Sequence, residues 1–146
     1  MISPLIGKCT PSKDLTSIVA SIRQELEHLT KFVDVHAVML FRLDGKVLES
    51  RYETENSQDL LIVTSWVKNI IMKTMEELKR GSKSVKYDKE ISSGKTIPVY
   101  FYRAGNSSIL VTFLTSRANL GLMEIEMSRA SKRLGQIIDN KTPLGS

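Results

Sequence analysis

Two segments of this chain are apolar on both faces, and that feature constrains the fold more than any other. Val35, Ala37, Met39, Phe41 and Leu43 alternate along one side of Val35–Leu43, while Val38 and Leu40 make the opposite side apolar as well. Ile109–Thr115 reads the same way. A strand with no polar face must be covered above and below, so both segments belong in the middle of a sheet held between helical layers.

The rest of the chain supplies those layers. Thr10-Pro11 reads as a cap with proline at the first helical position, and Leu15, Ile18, Val19, Ile22, Leu26 and Leu29 follow as one apolar stripe. Asp44-Gly45 is a two-residue hairpin signal that pairs Lys46–Tyr52 back onto the first strand. A second helix is predicted from a cap at Asn56 to Arg80, stopping at Gly81. Strands over Ser82–Ser92 and Thr96–Arg103 turn at Ser93-Gly94-Lys95, and Ala104-Gly105-Asn106 leads into the central Ile109–Thr115. A last helix, Asn119–Asp139, carries Leu120, Met123, Met127, Ala130, Leu134 and Ile137 at spacings of three and four. The order is α-β-β-α-β-β-β-α. The crossover helix covers one face, and the first and last helices cover the other. No repeat or low-complexity linker interrupts the chain, so one domain is expected over residues 12–140, with tails at 1–11 and 141–146.

Val38-Met39-Leu40-Phe41-Arg42-Leu43-Asp44-Gly45-Lys46-Val47-Leu48 and Ile109–Thr115 followed by Ala118-Asn119-Leu120-Gly121-Leu122 are similar to the first hairpin and the final strand-to-helix passage of the roadblock, dynein light-chain-like family. The resemblance covers roughly residues 12–140. It implies an α/β (α+β-type) domain with a five-stranded antiparallel sheet ordered 2-1-5-4-3, in agreement with the central placement of strands one and five. It further implies pairing of third strands between two copies, with the second helices side by side, and service as a platform or regulator for a small Ras-like GTPase. One departure is Pro98, inside a strand that this order makes internal. A bulge or a late strand start is expected there.

The residues bear on self-association directly. The second helix is apolar over more than half its circumference, and Leu61 and Met72 lie about three turns apart on one line beyond the sheet-facing arc. With Ser65 and Lys68 between them, they form the expected helical part of a dimer interface. The third strand supplies the rest through Val85, Lys86, Tyr87, Asp88 and Glu90. Antiparallel pairing about Tyr87 sets Lys86 against Asp88 of a second copy, and pairing about Asp88 sets it against Glu90. The second copy is this chain itself or a roadblock paralogue. Charges on such a strand also serve as guards against pairing.

Composition narrows the remaining classes. A formal charge of +5 is spread among acids along every element, with no aromatic–basic interleaving, so nucleic acid is not the expected partner, and a solvated face or an acidic protein partner is expected instead. The apolar runs are too short to span a bilayer, and the N-terminus lacks a signal-peptide pattern. With the single Cys9 as a free thiol, the expected location is cytoplasmic. Gly81-Ser82-Lys83-Ser84 lacks the contiguous Gly-Lys-Ser/Thr and the upstream glycine of a phosphate loop. His28 and His36 have no metal-ligand spacing, and Glu76/Glu77 and Glu124/Glu126 read as solvated helix faces. The expectation is a non-enzymatic scaffold without cofactor or metal. The alternatives are a small-molecule-sensing domain or a profilin-like actin-binding module.

Overall fold

In the computed structural model, which describes residues 15–32, 35–52, 57–91, 94–115 and 119–139, the two doubly apolar segments lie side by side. They are β1 (Val35–Arg42) and β5 (Ser108–Leu114). Every residue of β5 is buried, and β1 is buried except at His36 and Arg42. With β2 (Val47–Tyr52), β3 (Val85–Glu90) and β4 (Thr96–Arg103) they form one antiparallel sheet in the order β2-β1-β5-β4-β3. The expected strand order therefore holds.

Two cores follow from the alternation of side chains across the sheet. On one face, α2 (Ser57–Lys79) sets Val63, Val67, Ile71, Met75 and Leu78 against Ala37, Met39, Phe41, Phe101, Val111 and Phe113. On the other, α1 (Leu15–Thr30) and α3 (Leu120–Asp139) bring Leu26, Leu29, Met123, Met127 and Leu134 against Val38, Leu40, Leu110 and Leu114. Arg133 of α3 pairs with Glu25 of α1 at 3.0 Å, and Arg23 of α1 reaches Glu49 of β2 at 3.1 Å. Asn119 caps α3, its Oδ1 accepting the Leu122 N–H at 3.1 Å. Leu120, expected in the core stripe, is exposed instead. It stands in the first turn of α3, whose buried residues begin at Met123.

Several expectations need correction. The first hairpin closes with a three-residue loop rather than a two-residue one: the Arg42 N–H donates to Lys46 O at 2.8 Å and the Gly45 N–H to Arg42 O at 2.9 Å. That is a turn followed by a left-handed residue, and Gly45 takes it at φ 92°. Asp44 accepts the Lys46 N–H, and that bond, with the neighbouring Arg42 guanidinium, holds its carboxyl below the usual carboxylate range. The third strand is shorter than the expected Ser82–Ser92: it runs Val85–Glu90, with residues 82–84 and Ile91 outside it, and Ser92 lies outside the described residues. Pro98 brings no bulge into the β3–β4 ladder, where it stands opposite Asp88. Because the Ile91 N–H donates to Lys95 O, alternate pairs from there place Pro98 in a non-hydrogen-bonded pair with β3. Its nitrogen faces the β5 side, and there the ladder begins only at Val99. The strand itself opens at Thr96, ahead of Pro98, so neither the bulge nor the late strand start is found, and only the pairing with β5 begins after the proline. The caps expected at Thr10-Pro11 and Asn56 and both tails lie outside the described residues.

Candidate functional site

The sheet has two edges, and they are not equivalent. On β2 the register slips opposite Leu40 and Phe41, which leaves Leu48 as an extra residue. Such a bulge spoils an edge for pairing. On β3 all six residues pair with β4 in unbroken register. The parity set by Ile91 and Lys95 turns the backbone groups of Val85, Tyr87 and Lys89 toward β4. Those of Lys86, Asp88 and Glu90 therefore point outward, as a row of donors and acceptors with no strand beside them among the described residues.

The side chains of β3 divide the same way. Lys86, Asp88 and Glu90 are exposed, whereas Val85, Tyr87 and Lys89 are partly buried beneath α2. Tyr87 meets Trp66 edge-on at 5.6 Å and Phe101 at 5.5 Å between ring centroids, and Trp66 also meets Phe101 at 6.0 Å. The Lys89 ammonium stands 5.5 Å from the Trp66 ring. The Tyr87 hydroxyl lies 3.5 Å from that of Thr74, which itself donates to Ile70 O at 2.9 Å. This aromatic knot braces the open edge from behind. Sequence reasoning missed it: a helical wheel gives the angle of Trp66, but not which strand lies beneath.

The structure separates the residues grouped as one interface. At about 100° per residue, Leu61, Ser65, Lys68 and Met72 fall within an arc of about 60°, centred about 130° from Trp66. All four are exposed, Leu61 at 68% and Met72 at 59%. The Lys68 stem runs beside Gly45 in the β1–β2 turn, and Thr64 contacts Met39 of β1. The strip therefore leans toward the β2 side of α2, whereas Trp66 leans toward β3. Ile62, 43% exposed, lies on the β3-ward flank. The nine residues make two surfaces: an open strand edge braced by Trp66, and an apolar outer strip on α2.

The two histidines are placed as follows. His28 is exposed on α1, edge-on to Phe32 and 3.6 Å from Glu126, and Glu126 receives two 2.9 Å bonds from Arg129. His36 is a partly buried residue of β1. Among the described residues, no group of three His, Cys, Asp or Glu is placed to hold a metal ion, and no helix is long and apolar enough to cross a membrane. Gly81 ends α2 at φ 115°, which accounts for the glycine without a phosphate loop.

A family model for the AF0774-like proteins matches residues 19–128. No curated protein matches the chain by sequence. Among solved structures, Myxococcus xanthus MglB is similar at a TM-score of 0.67 and 19% identity, over 88% of this chain and 95% of that one. A roadblock/LC7 domain from Streptomyces avermitilis is similar at 0.60 and 13%, over 80% and 96%. A LokiProfilin1/rabbit actin complex supplies a third, at 0.50 and 17%, over 81% and 96%. At these identities the likeness is one of fold. With a family model spanning most of its length, the chain belongs to the AF0774-like protein family, and its fold is of the roadblock type.

Proposed function

We propose that the chain is a non-enzymatic platform that pairs with a second copy through β3 and presents the outer strip of α2 to a small Ras-like GTPase. The observation that carries this reading is the unbulged β3 edge, braced by Trp66 and Tyr87, beside a helix that keeps Leu61 and Met72 in water. Two-fold pairing centred on Tyr87 puts Lys86 opposite the partner subunit's Asp88 twice, with backbone bonds from the outward-facing groups. Centring on Asp88 would set two carboxylates directly opposite, which is unfavourable, so the Tyr87 register is preferred.

In that arrangement the β3-ward flank of α2, with Ile62 and Trp66, approaches its twin. Leu61, Ser65, Lys68 and Met72 remain on the outside, available to a partner. This divides the interface expected from sequence, and it does so because the strip leans away from β3. The partner class comes from the roadblock resemblance. Where hydrolysis is affected, repositioning of the GTPase's own residues is the expected route, since no arginine of this chain is singled out.

Sedimentation velocity combined with pull-down of candidate GTPases tests the reading. Leu61→Glu and Met72→Glu should leave the dimer intact and weaken GTPase capture by about tenfold or more. Loss of the dimer in those variants would return the strip to the self-association surface. Full capture by both would remove it from the partner site. The likeness to LokiProfilin1 supports a second reading, actin binding, and co-sedimentation with actin filaments separates the two.

A further inference from the structure

On the sheet face opposite α2, the chain forms a second feature that platform assembly does not use. A depression of about 460 Å³ lies where α3 passes over the end of β4 and the chain enters β3. Its wall includes Lys83, Arg129 and Lys132 against one carboxylate, Glu124. Arg129 is held by Glu126, but Lys83 and Lys132 have no ion-pair partner among the described residues. Ile125 projects at the same place and is 63% exposed, with Leu122 exposed one turn earlier. The neighbouring depression between α1 and α3 shows the contrast. There Arg133 pairs with Glu25 and Arg129 with Glu126, so its charges answer one another.

Unmatched ammonium groups beside an uncovered branched aliphatic side chain ask for two things at once: carboxylates and an apolar contact. A free inorganic anion would answer the lysines and leave Ile125 in water. The polar wall adds Ser84 and Tyr102. The Tyr102 phenol is buried, and burial keeps it protonated far above neutral pH, so it offers no competing charge. We propose that this depression docks an acidic peptide segment of a partner protein, with one apolar side chain on Ile125 and carboxylates on Lys132 and Lys83.

The inference goes beyond the platform reading and concerns one subunit. Pairing through β3 in the Tyr87 register would bring the partner subunit's Glu90 opposite Ser84, near Lys83, which still leaves Lys132 and Ile125 unanswered. The test is therefore built on these two residues.

Fluorescence anisotropy of the full chain is measured with a fluorescein-labelled peptide of about ten residues that interleaves aspartates and leucines. Two further peptides replace the aspartates by lysine or the leucines by serine. Wild type should bind the acidic–apolar peptide saturably and both substituted peptides at least about tenfold more weakly. Lys132→Glu and Ile125→Ser, both at exposed positions, should each weaken binding about fivefold or more. Lys79→Glu, the same charge change on an exposed residue away from the depression, should alter it less than about twofold. The pairing-defective Lys86→Glu variant is titrated in parallel and should bind the peptide as wild type does, so failure of β3 pairing and failure of this site read out separately. Absence of saturable binding, equal loss with Lys79→Glu, or indifference to Ile125→Ser together with displacement by inorganic phosphate would each overturn the proposal.

Discussion

Replacing Lys86 by glutamate probes the strand edge at its most informative point. In the Tyr87-centred pairing, Lys86 stands opposite the partner subunit's Asp88 at two symmetric places, so one substitution turns two attractive contacts into repulsive ones. A cross-strand opposite-charge pair contributes ~0.2–1 kcal/mol, and a like-charge pair is unfavourable by a similar amount. Reversal at both places thus amounts to ~1–4 kcal/mol. The side chains of Lys86 and Asp88 are 48% and 60% exposed and already face each other within one strand at 3.6 Å. Solvent screening therefore favours the lower part of that range, ~1–2 kcal/mol, or an increase in dimer Kd of about five- to thirtyfold. Sedimentation equilibrium over a range of concentrations measures this directly. Lys86→Glu combined with Asp88→Lys restores the opposite-charge pairing and should recover most of the loss. Recovery by Glu90→Lys instead would select the Asp88-centred register. Equal Kd values for wild type, single and double variants would refute pairing through this edge.

Three further outcomes follow from the packing. Gly135 of α3 sits against the β4–β5 loop, where a Cβ would lie 2.7 Å from the Gly105 nitrogen. Gly135→Ala should lower stability by ~1–3 kcal/mol despite alanine's better helix propensity, a fall in Tm of about 3–10 °C by calorimetry. The Thr112 hydroxyl is buried on β5 without a hydrogen-bond partner among the described residues. Thr112→Val should therefore raise stability by ~1 kcal/mol, seen as a higher urea midpoint. Burial, with smaller contributions from Glu124 and Tyr100, lifts the Tyr102 phenol from 10.0 to about 12 against an opposing bond from Ser84. Its folded pKa is the higher one, so its contribution is complete below about pH 10 and is lost as pH rises toward about 12. The loss is on the order of 2 kcal/mol. Tyrosinate absorbance should show a late-titrating phenol that disappears in Tyr102→Phe, and that variant should lose stability less steeply over the same interval.

What was legible in the chain depended on whether a single element held the information. β1 and β5 announce their central position because both of their faces are apolar, and Asn119 and Gly81 mark helix ends through local hydrogen bonding and backbone conformation. Asp44-Gly45 marks a turn but not its length, since the same pair serves a two-residue loop and the three-residue loop found here. The consequence of Pro98 depended on ladder parity, which is set by the Ile91–Lys95 closure several residues away. The candidate site was half legible. The exposure of Leu61 and Met72 follows from the period of α2 alone. That they lean toward β2 while Trp66 leans toward β3 follows from how the helix lies across the sheet, and no periodicity carries that. The cluster of Trp66, Tyr87, Lys89 and Phe101 was hidden for the same reason, because it joins three elements.

Residue-resolved amide hydrogen exchange on β3, followed from high to low protein concentration, gives the most direct test of self-pairing. The amides of Tyr87 and Lys89 face β4 and should stay protected throughout, while those of Lys86 and Asp88 should be protected only when the dimer is populated and lose protection on dilution. Free exchange of Lys86 and Asp88 at every concentration would contradict pairing through this edge.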